Sequence, residues 1–220
     1  MPTQPLPTLL LTRPYADSQR LADLLPEWRA VISPILQIVP VAHDSQRLND
    51  APGLVFTSMH AVPSAGPGRG RLAICVGERT GKIAREAGFD VREGNGFAVS
   101  MLPLIEAAKI PLIHPHGRHL ARKLPVEGMV VYDQQALTLT DEAQELLAEH
   151  APVVLPLFSP RSARLVAAEA AGAVAPLWPV SISAAADREW DAPAAGRLIA
   201  FGPTLEQMAA AIRLWPFAEH

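Results

Sequence analysis

Two stretches of this chain repeat each other, and that repeat limits the fold more than any other feature. The first copy runs LVFTSMHAV and then LAICVGERTGKIAREAGFDVREGNGFAVSML; the second runs VLPLFSPRSARLV and then WPVSISAAADREWDAPAAGRLIAFGPTLEQM. Phe56-Thr57-Ser58 aligns with Phe158-Ser159-Pro160. Thr80 lies 16 residues before Gly96, and Ala186 lies 16 before Gly202. Each copy closes on a helix-period segment, with Met101, Leu102 and Ile105 in the first and Leu205, Met208 and Ile212 in the second. A unit that occurs twice predicts two homologous lobes, because a solenoid needs about three or more units to bury a continuous core.

Within and around the repeat, short apolar runs alternate with helix-period segments, the pattern of an α/β protein with mostly parallel sheets. Strands are predicted at 9–11, 53–57, 71–76, 89–92, 111–114, 129–132, 153–158, 180–182 and 197–201. A helix is predicted over 17–25, with Leu21, Leu24 and Leu25 on one face and Pro26 stopping it. The 22 prolines predict short, sharply ended elements. Pro156 falls inside one predicted strand, an unusual residue for a central position. The first strand and helix have no further strand–helix series of their own; ILQIVPV at 35–41 runs straight into the first copy, and VVYDQQAL at 130–137 leads out of it. The middle lobe is therefore expected to be inserted into the outer one. The expected bounds are 1–36 and 138–220 for the outer lobe, 46–128 for the inner lobe, and 37–45 and 129–137 for two linker strands.

Composition narrows the function. Hydrophobic residues reach 49%, ample for a packed core. The net charge of −3 comes from interspersed acids and bases without a basic block, which argues against a nucleic-acid partner. Cys75 is the single cysteine and lies in an apolar run, so a buried, inert thiol in a reducing compartment is expected. Residues 1–12 carry no basic region ahead of their short leucine run, unlike a signal peptide. No stretch approaches the roughly 18 apolar residues of a membrane span. The expectation is a cytoplasmic protein without membrane association.

In open parallel sheets, ligands bind beyond the carboxyl ends of the strands, against helix N-termini. Hydroxyl residues sit at several such turns: Thr12-Arg13-Pro14, Thr57-Ser58, Gly77-Glu78-Arg79-Thr80 and Ser159-Pro160-Arg161-Ser162. Each helix start adds free N–H groups and a positive dipole end. The same residues also read as ordinary caps, Ser159 before Pro160 above all, and Thr204-Leu205-Glu206-Gln207 fits a capping box. Four such turns from two lobes predict a shared anion site at facing strand ends. Charge-assisted hydrogen bonds contribute roughly 1.5–3 kcal/mol each, and micromolar binding needs about 8 kcal/mol net, so no basic patch is required. His114-x-His116-x-x-His119 has the ring nitrogens of a metal site, but no cysteine or helix-spaced carboxylate pair joins it, and no metal is expected. Gly94-Asn95-Gly96 hints at a dinucleotide loop without its third glycine or its later acidic residue. From the residues alone, an enzyme, a non-catalytic anion-binding module and a nucleotide-binding α/β protein all remain open.

LLLTRPYADSQRLADLL, ILQIVPV, LVFTSMHAV, CVGERTGKIAREAGF, VVYDQQAL and VLPLFSPRSARLV occur in an order that resembles the uroporphyrinogen-III synthases over nearly the whole chain. The resemblance implies two α/β lobes joined by a two-stranded linker, a monomer, and no cofactor. It implies one reaction: hydroxymethylbilane, a linear polycarboxylated tetrapyrrole, loses its hydroxyl as water and closes with its last ring inverted. The proposed route passes through an azafulvene cation and a spirocyclic intermediate. Since the unassisted substrate closes without inversion, the protein must impose geometry and exclude water. The resemblance matches Tyr132 to the family's linker tyrosine, a candidate for assisting departure of the hydroxyl, because a phenol is protonated at neutral pH and can donate. It matches Thr80 to a site threonine, Thr12, Ser58 and Ser159 to hydroxyl turns facing the cleft, and Arg13 to a Thr-Arg-Pro motif. Thr57, Gly77 and Ser162 share those turns and join the candidate substrate contacts. Where the family commonly has Gly-Pro-x-Thr in the outer lobe, this chain has Ser183-Ala184-Ala185-Ala186. Ser183 and backbone amides are expected to stand in there, with several wall groups sharing the work.

Overall fold

Thr8–Leu11 reads TLLL and all four residues are buried, as a strand covered on both faces requires. The computed structural model describes residues 7–120 and 122–214; the readings made of residues 1–6 and 215–220 lie outside them. In chain order the elements are β1 (Thr8–Leu11), α1 (Tyr15–Leu24), β2 (Ala30–Ile32), β3 (Leu36–Pro40), α2 (Ser45–Asp50), β4 (Gly53–Phe56), β5 (Leu72–Cys75), α3 (Glu78–Glu86), β6 (Asp90–Glu93) and α4 (Leu102–Ala107). There follow β7 (Leu112–Gly117), β8 (Glu127–Ala136), α5 (Asp141–Ala148), β9 (Val153–Leu157), α6 (Pro160–Glu169), β10 (Leu177–Ser181), α7 (Ala184–Asp187), β11 (Leu198–Ile199) and α8 (Leu205–Arg213). Single 3-10 segments occupy Met59–Ala65 and Ala98–Met101. The described residues up to Gln37 and from Ala136 onward form one compact unit, the outer lobe; Ile38–Gln135 form the other, the inner lobe.

The outer lobe holds a five-stranded sheet in the order β11-β10-β9-β1-β2, with every pairing parallel. Side chains alternate across it. Leu10, Val153, Leu155 and Leu157 pack toward α5 and α6, while Leu9, Leu11 and Val154 pack toward α1 and α8. Two covered faces explain why these strands read as unbroken apolar runs. The inner sheet has the order β3-β8-β7-β4-β5-β6, parallel from β8 to β6. Leu54, Phe56, Ala73 and Cys75 face α3 and the Met59–Ala65 segment; Val55 and Ile74 face Met101 and Ile105. β3 and β8 carry the chain from one lobe to the other.

In each sheet the chain order reverses at one central pair, β1/β9 in the outer lobe and β4/β7 in the inner, the topological switch points. Both ladders stop early. The β1–β9 register ends at Leu9↔Val154 and the β4–β7 register at Leu54↔Ile113. Each stop lies two residues before a proline of the pair, Pro156 in β9 and Pro115 in β7. Proline brings no N–H to a ladder. On their other sides the same strands stay paired, through Ser181↔Leu157 and past Pro115↔Met129. Pro156 is thus tolerated in the middle strand because it turns its missing donor to the switch point.

Other differences from the sequence expectation are local. α1 starts at Tyr15, two residues before the predicted start, because the Asp17 and Ser18 amides both donate to the Pro14 carbonyl. β2 spans three residues, too short for an alternation to register. β8 runs ten residues, joining the predicted strand at 129–132 to the extended run after it.

Candidate functional site

The inner sheet aligns its carboxyl ends through the registers Phe56↔Cys75, Cys75↔Glu93 and Gly117↔Tyr132. Thr57 and Ser58 therefore sit at one edge with Gly77, the start of α3, and Tyr132. Thr57 Oγ1 lies 2.8 Å from Nε2 of His114, which is 2% exposed on β7. Burial first, and then the neighbouring His116, push the His114 pKa down to about 4. Its ring is neutral at neutral pH and fixes the Thr57 hydroxyl without adding charge. The His116 ring follows at 4.9 Å between centroids, and its Nδ1 donates to the Gly117 carbonyl at 2.7 Å. His119 lies apart from these two, 3.8 Å from Asp133. Among the described residues, no group of three His, Cys, Asp or Glu side chains is arranged to hold a metal ion.

Ser58 caps the Met59–Ala65 segment by accepting the His60 amide at 3.3 Å. Gly77 begins α3 with extended backbone and no side-chain cap, at the positive end of the helix dipole. Thr80 is 5% exposed in the first turn of that helix. A side chain on Gly77 would meet the Gly96 backbone at 3.2 Å, so Gly77 serves close packing of two loops, whereas Gly96 holds a left-handed turn with φ at 96°. The Gly94 and Gly96 amides donate to the Cys75 and Val76 carbonyls, which spends them on the sheet instead of on a phosphate. That removes the basis of the dinucleotide-loop reading. Tyr132 is 6% exposed, its ring in the core with Phe56 and Val62, and no hydrogen bond engages its hydroxyl among the described residues.

The outer lobe builds its carboxyl edge from Thr12 and Arg13 after β1, Ser159 and Ser162 after β9, and Ser183 after β10. Arg13 donates to Asp17 at 2.9 Å and lies 4.2 Å over the Phe158 ring, so it ties the β1 turn to the end of β9. Asp17 also takes Arg20, at 2.8 Å. Arg13 is thus engaged within the fold as well as placed at the edge. A narrow crevice lies where the β1–β9 ladder stops, lined by Thr12, Arg13, Ser18, Pro156 and Phe158 among others. Ser159 accepts the Ser162 amide at 3.1 Å and Ser183 accepts the Ala186 amide at 3.3 Å, so both are caps. Capping uses the oxygen as acceptor; a serine so engaged keeps a proton to donate.

Residues 26–211 match a family model described as uroporphyrinogen-III synthase HemD. The chain belongs to that family. Solved structures agree in fold. One is uroporphyrinogen-III synthetase from Helicobacter pylori, with 16% identity over 93% of this chain and 97% of that chain, at a TM-score of 0.61. Another is a mutant uroporphyrinogen III synthase from the extremely thermophilic bacterium Thermus thermophilus, with 13% identity over 94% of this chain and 98% of that chain, at a TM-score of 0.52. No curated protein sequence matches the chain.

The repeat relates the outer-lobe turn at Ser183 to the inner-lobe turn at Gly77. Gly77 and Ser183 hold the same cap position, and Thr80 and Ala186 the same third helical position, in α3 and α7. The inner turn thus carries its hydroxyl at the third helical position and the outer turn at the cap. The structure groups Thr57, Ser58, Gly77, Thr80 and Tyr132 at the inner edge, and Thr12, Arg13, Ser159, Ser162 and Ser183 at the outer edge. Sequence reasoning missed the contact of His114 with Thr57. A signal existed for His114: its period-2 spacing from His116 on a strand puts both rings on one face. Nothing in the sequence joins Thr57 to His114, which lies 57 residues away.

Proposed function

We propose that this chain is a uroporphyrinogen-III synthase, a cyclising hydro-lyase that converts hydroxymethylbilane into uroporphyrinogen III and water. The observation that carries the reading is the pair of donor-lined carboxyl edges, one in each lobe of a chain of this family. The substrate carries many carboxylates and is flexible. Hydroxyls of Thr12, Thr57, Ser58, Thr80, Ser159 and Ser183, with the α3 N-terminus after Gly77, bind those arms through charge-assisted hydrogen bonds, while Ser162 spends its hydroxyl proton on the Ser159 carbonyl and supports that turn. Arg13 adds a positive charge beside Thr12. Tyr132, whose hydroxyl has no hydrogen-bond partner among the described residues, gives its proton to the departing hydroxyl as the pyrrole nitrogen pushes the C–O bond open. The cation is attacked by the last ring at its substituted carbon, and rearrangement inverts that ring. The proton released when the final pyrrole regains aromaticity balances the one Tyr132 gave. Ring closure needs no redox step, so no cofactor enters, and the protein acts as a cytoplasmic monomer on a small molecule. No helix among the described residues is long and apolar enough to cross a membrane.

The test is an isomer assay. Purified protein receives freshly made hydroxymethylbilane, the product is oxidised, and the porphyrins are separated by chromatography. Predominant type III isomer supports the reading; type I alone refutes it. Type I alone together with tetrapyrrole binding would instead establish a non-catalytic binding module, the second reading that the altered Ser183–Ala186 turn favours. Tyr132→Phe should slow turnover by about ten- to hundredfold, at or below the usual range for acid catalysis.

A further inference from the structure

We propose that Gly117 and His60 are positioning residues for Tyr132, fixing where its ring presents the hydroxyl. The inference rests on the catalytic reading of Tyr132. Gly117 and Tyr132 are register partners on β7 and β8, at the point where the pairing shifts after His116. A Cβ on Gly117 would lie 2.5 Å from Cε2, 2.7 Å from Cζ and 3.0 Å from the hydroxyl oxygen of Tyr132. Gly117 is not among the positive-φ glycines, which are Gly66, Gly70, Gly88 and Gly96. Its backbone can therefore accept any residue; the tyrosine ring lying across it cannot.

His60 confines the ring from a second direction. It stands on the Met59–Ala65 segment and meets the Tyr132 ring edge-on, with centroids 6.0 Å apart and planes at 67°. The amide of His60 is the one that Ser58 caps. Ring position and a candidate substrate hydroxyl thus hang on the same residue. Since no hydrogen bond from the described residues holds the Tyr132 hydroxyl, packing sets its direction, and packing here means Gly117 beneath and His60 beside. A displacement of about 1 Å at a reacting group can cost about a hundredfold in rate.

The experiment crosses Gly117→Ala and His60→Leu with Tyr132→Phe and follows kcat and KM. Gly117→Ala should lower kcat about tenfold or more with KM within about threefold, and the same change in the Tyr132→Phe background should cost less than about twofold. Equal losses in both backgrounds overturn the proposal. An independent readout uses ring-labelled tyrosine and NMR. The chain has two tyrosines, the other being Tyr15, 65% exposed. Gly117→Ala and His60→Leu should shift the Tyr132 ring signals and leave those of Tyr15 in place; unmoved Tyr132 signals refute it. Should Gly117→Ala fail to fold, His60→Leu carries both readouts. If Tyr132→Phe keeps the full rate, the catalytic reading falls, while NMR still decides whether these residues set the ring.

Discussion

His114 makes folding stability depend on acidity in a window where an ordinary histidine would not. The buried ring titrates near 4 in the folded chain, against 6.5 for an unperturbed histidine. As pH falls from neutral, the unfolded chain binds a proton first and the native chain resists it. Stability contributed by the neutral ring is therefore full above about 6.5 and is lost progressively down to about 4. Integrating proton uptake between those values gives a loss of about 2 kcal/mol from pH 7 to pH 5, and about 3 kcal/mol by pH 4. The comparison is native chain against His114→Gln, which retains a polar nitrogen toward Thr57 but cannot titrate. Urea unfolding at several pH values should show the loss in the native chain and its absence in the variant, beyond the carboxylate titrations common to both. Far-UV circular dichroism suits the measurement, because the described tryptophans, Trp28, Trp178 and Trp190, all belong to the outer lobe. A His114 ring signal titrating near 6.5 by NMR, or the same pH dependence in the variant, would refute the reasoning.

Arg71 donates to five carbonyls, those of Leu48, Ala51, Ala65, Pro67 and Gly68, and stacks on Phe89. Arg71→Lys, which loses the planar fork, should destabilise the inner lobe by about 2–4 kcal/mol in urea melts; a change under about 0.5 kcal/mol would contradict that role. Gly68→Ala would put a Cβ 2.2 Å from the Phe89 amide nitrogen and 2.3 Å from the Gly88 carbonyl carbon. Because those are backbone atoms, it should cost about 3 kcal/mol or more, read as a lowered Tm. Burial, then the Glu93 carboxylate, push the Cys75 thiol up to about 12. A thiol reagent at pH 8 should leave native protein unlabelled and label it fully in urea. Ser159→Ala removes the α6 cap and should cost about 1 kcal/mol, and a raised KM alongside would mark the same hydroxyl as a substrate contact.

Elements with strong local signals were legible in the sequence. The leucines of β1, the apolar runs of β4 and β9, and the Ser159-Pro160 start of α6 each carry their structure within a few residues. The α/β class followed from their alternation, and the two-lobed plan from the repeat. What stayed hidden depends on distance or on sheet order. β2 is held by its register with β1, and three residues cannot announce that. Pro156 looked misplaced because the sequence does not say which side of β9 lacks a donor. The Thr57–His114 contact and the fit of Gly117 beneath Tyr132 arise from strands adjacent in the sheet but separated in the chain, and a lone glycine in a strand reads the same whatever it accommodates.

The two prolines at the strand reversals also bear on how the halves of this chain came to differ. A gap made by a loop closes when the loop shortens, but a gap made by subtracting an amide from the middle of a sheet closes only when that residue changes. Pro115 and Pro156 belong to non-equivalent strands of the two halves, so duplication alone did not copy one proline into both. Each sheet carries its own proline beside the strand pair where its ladder stops, so the two can vary independently.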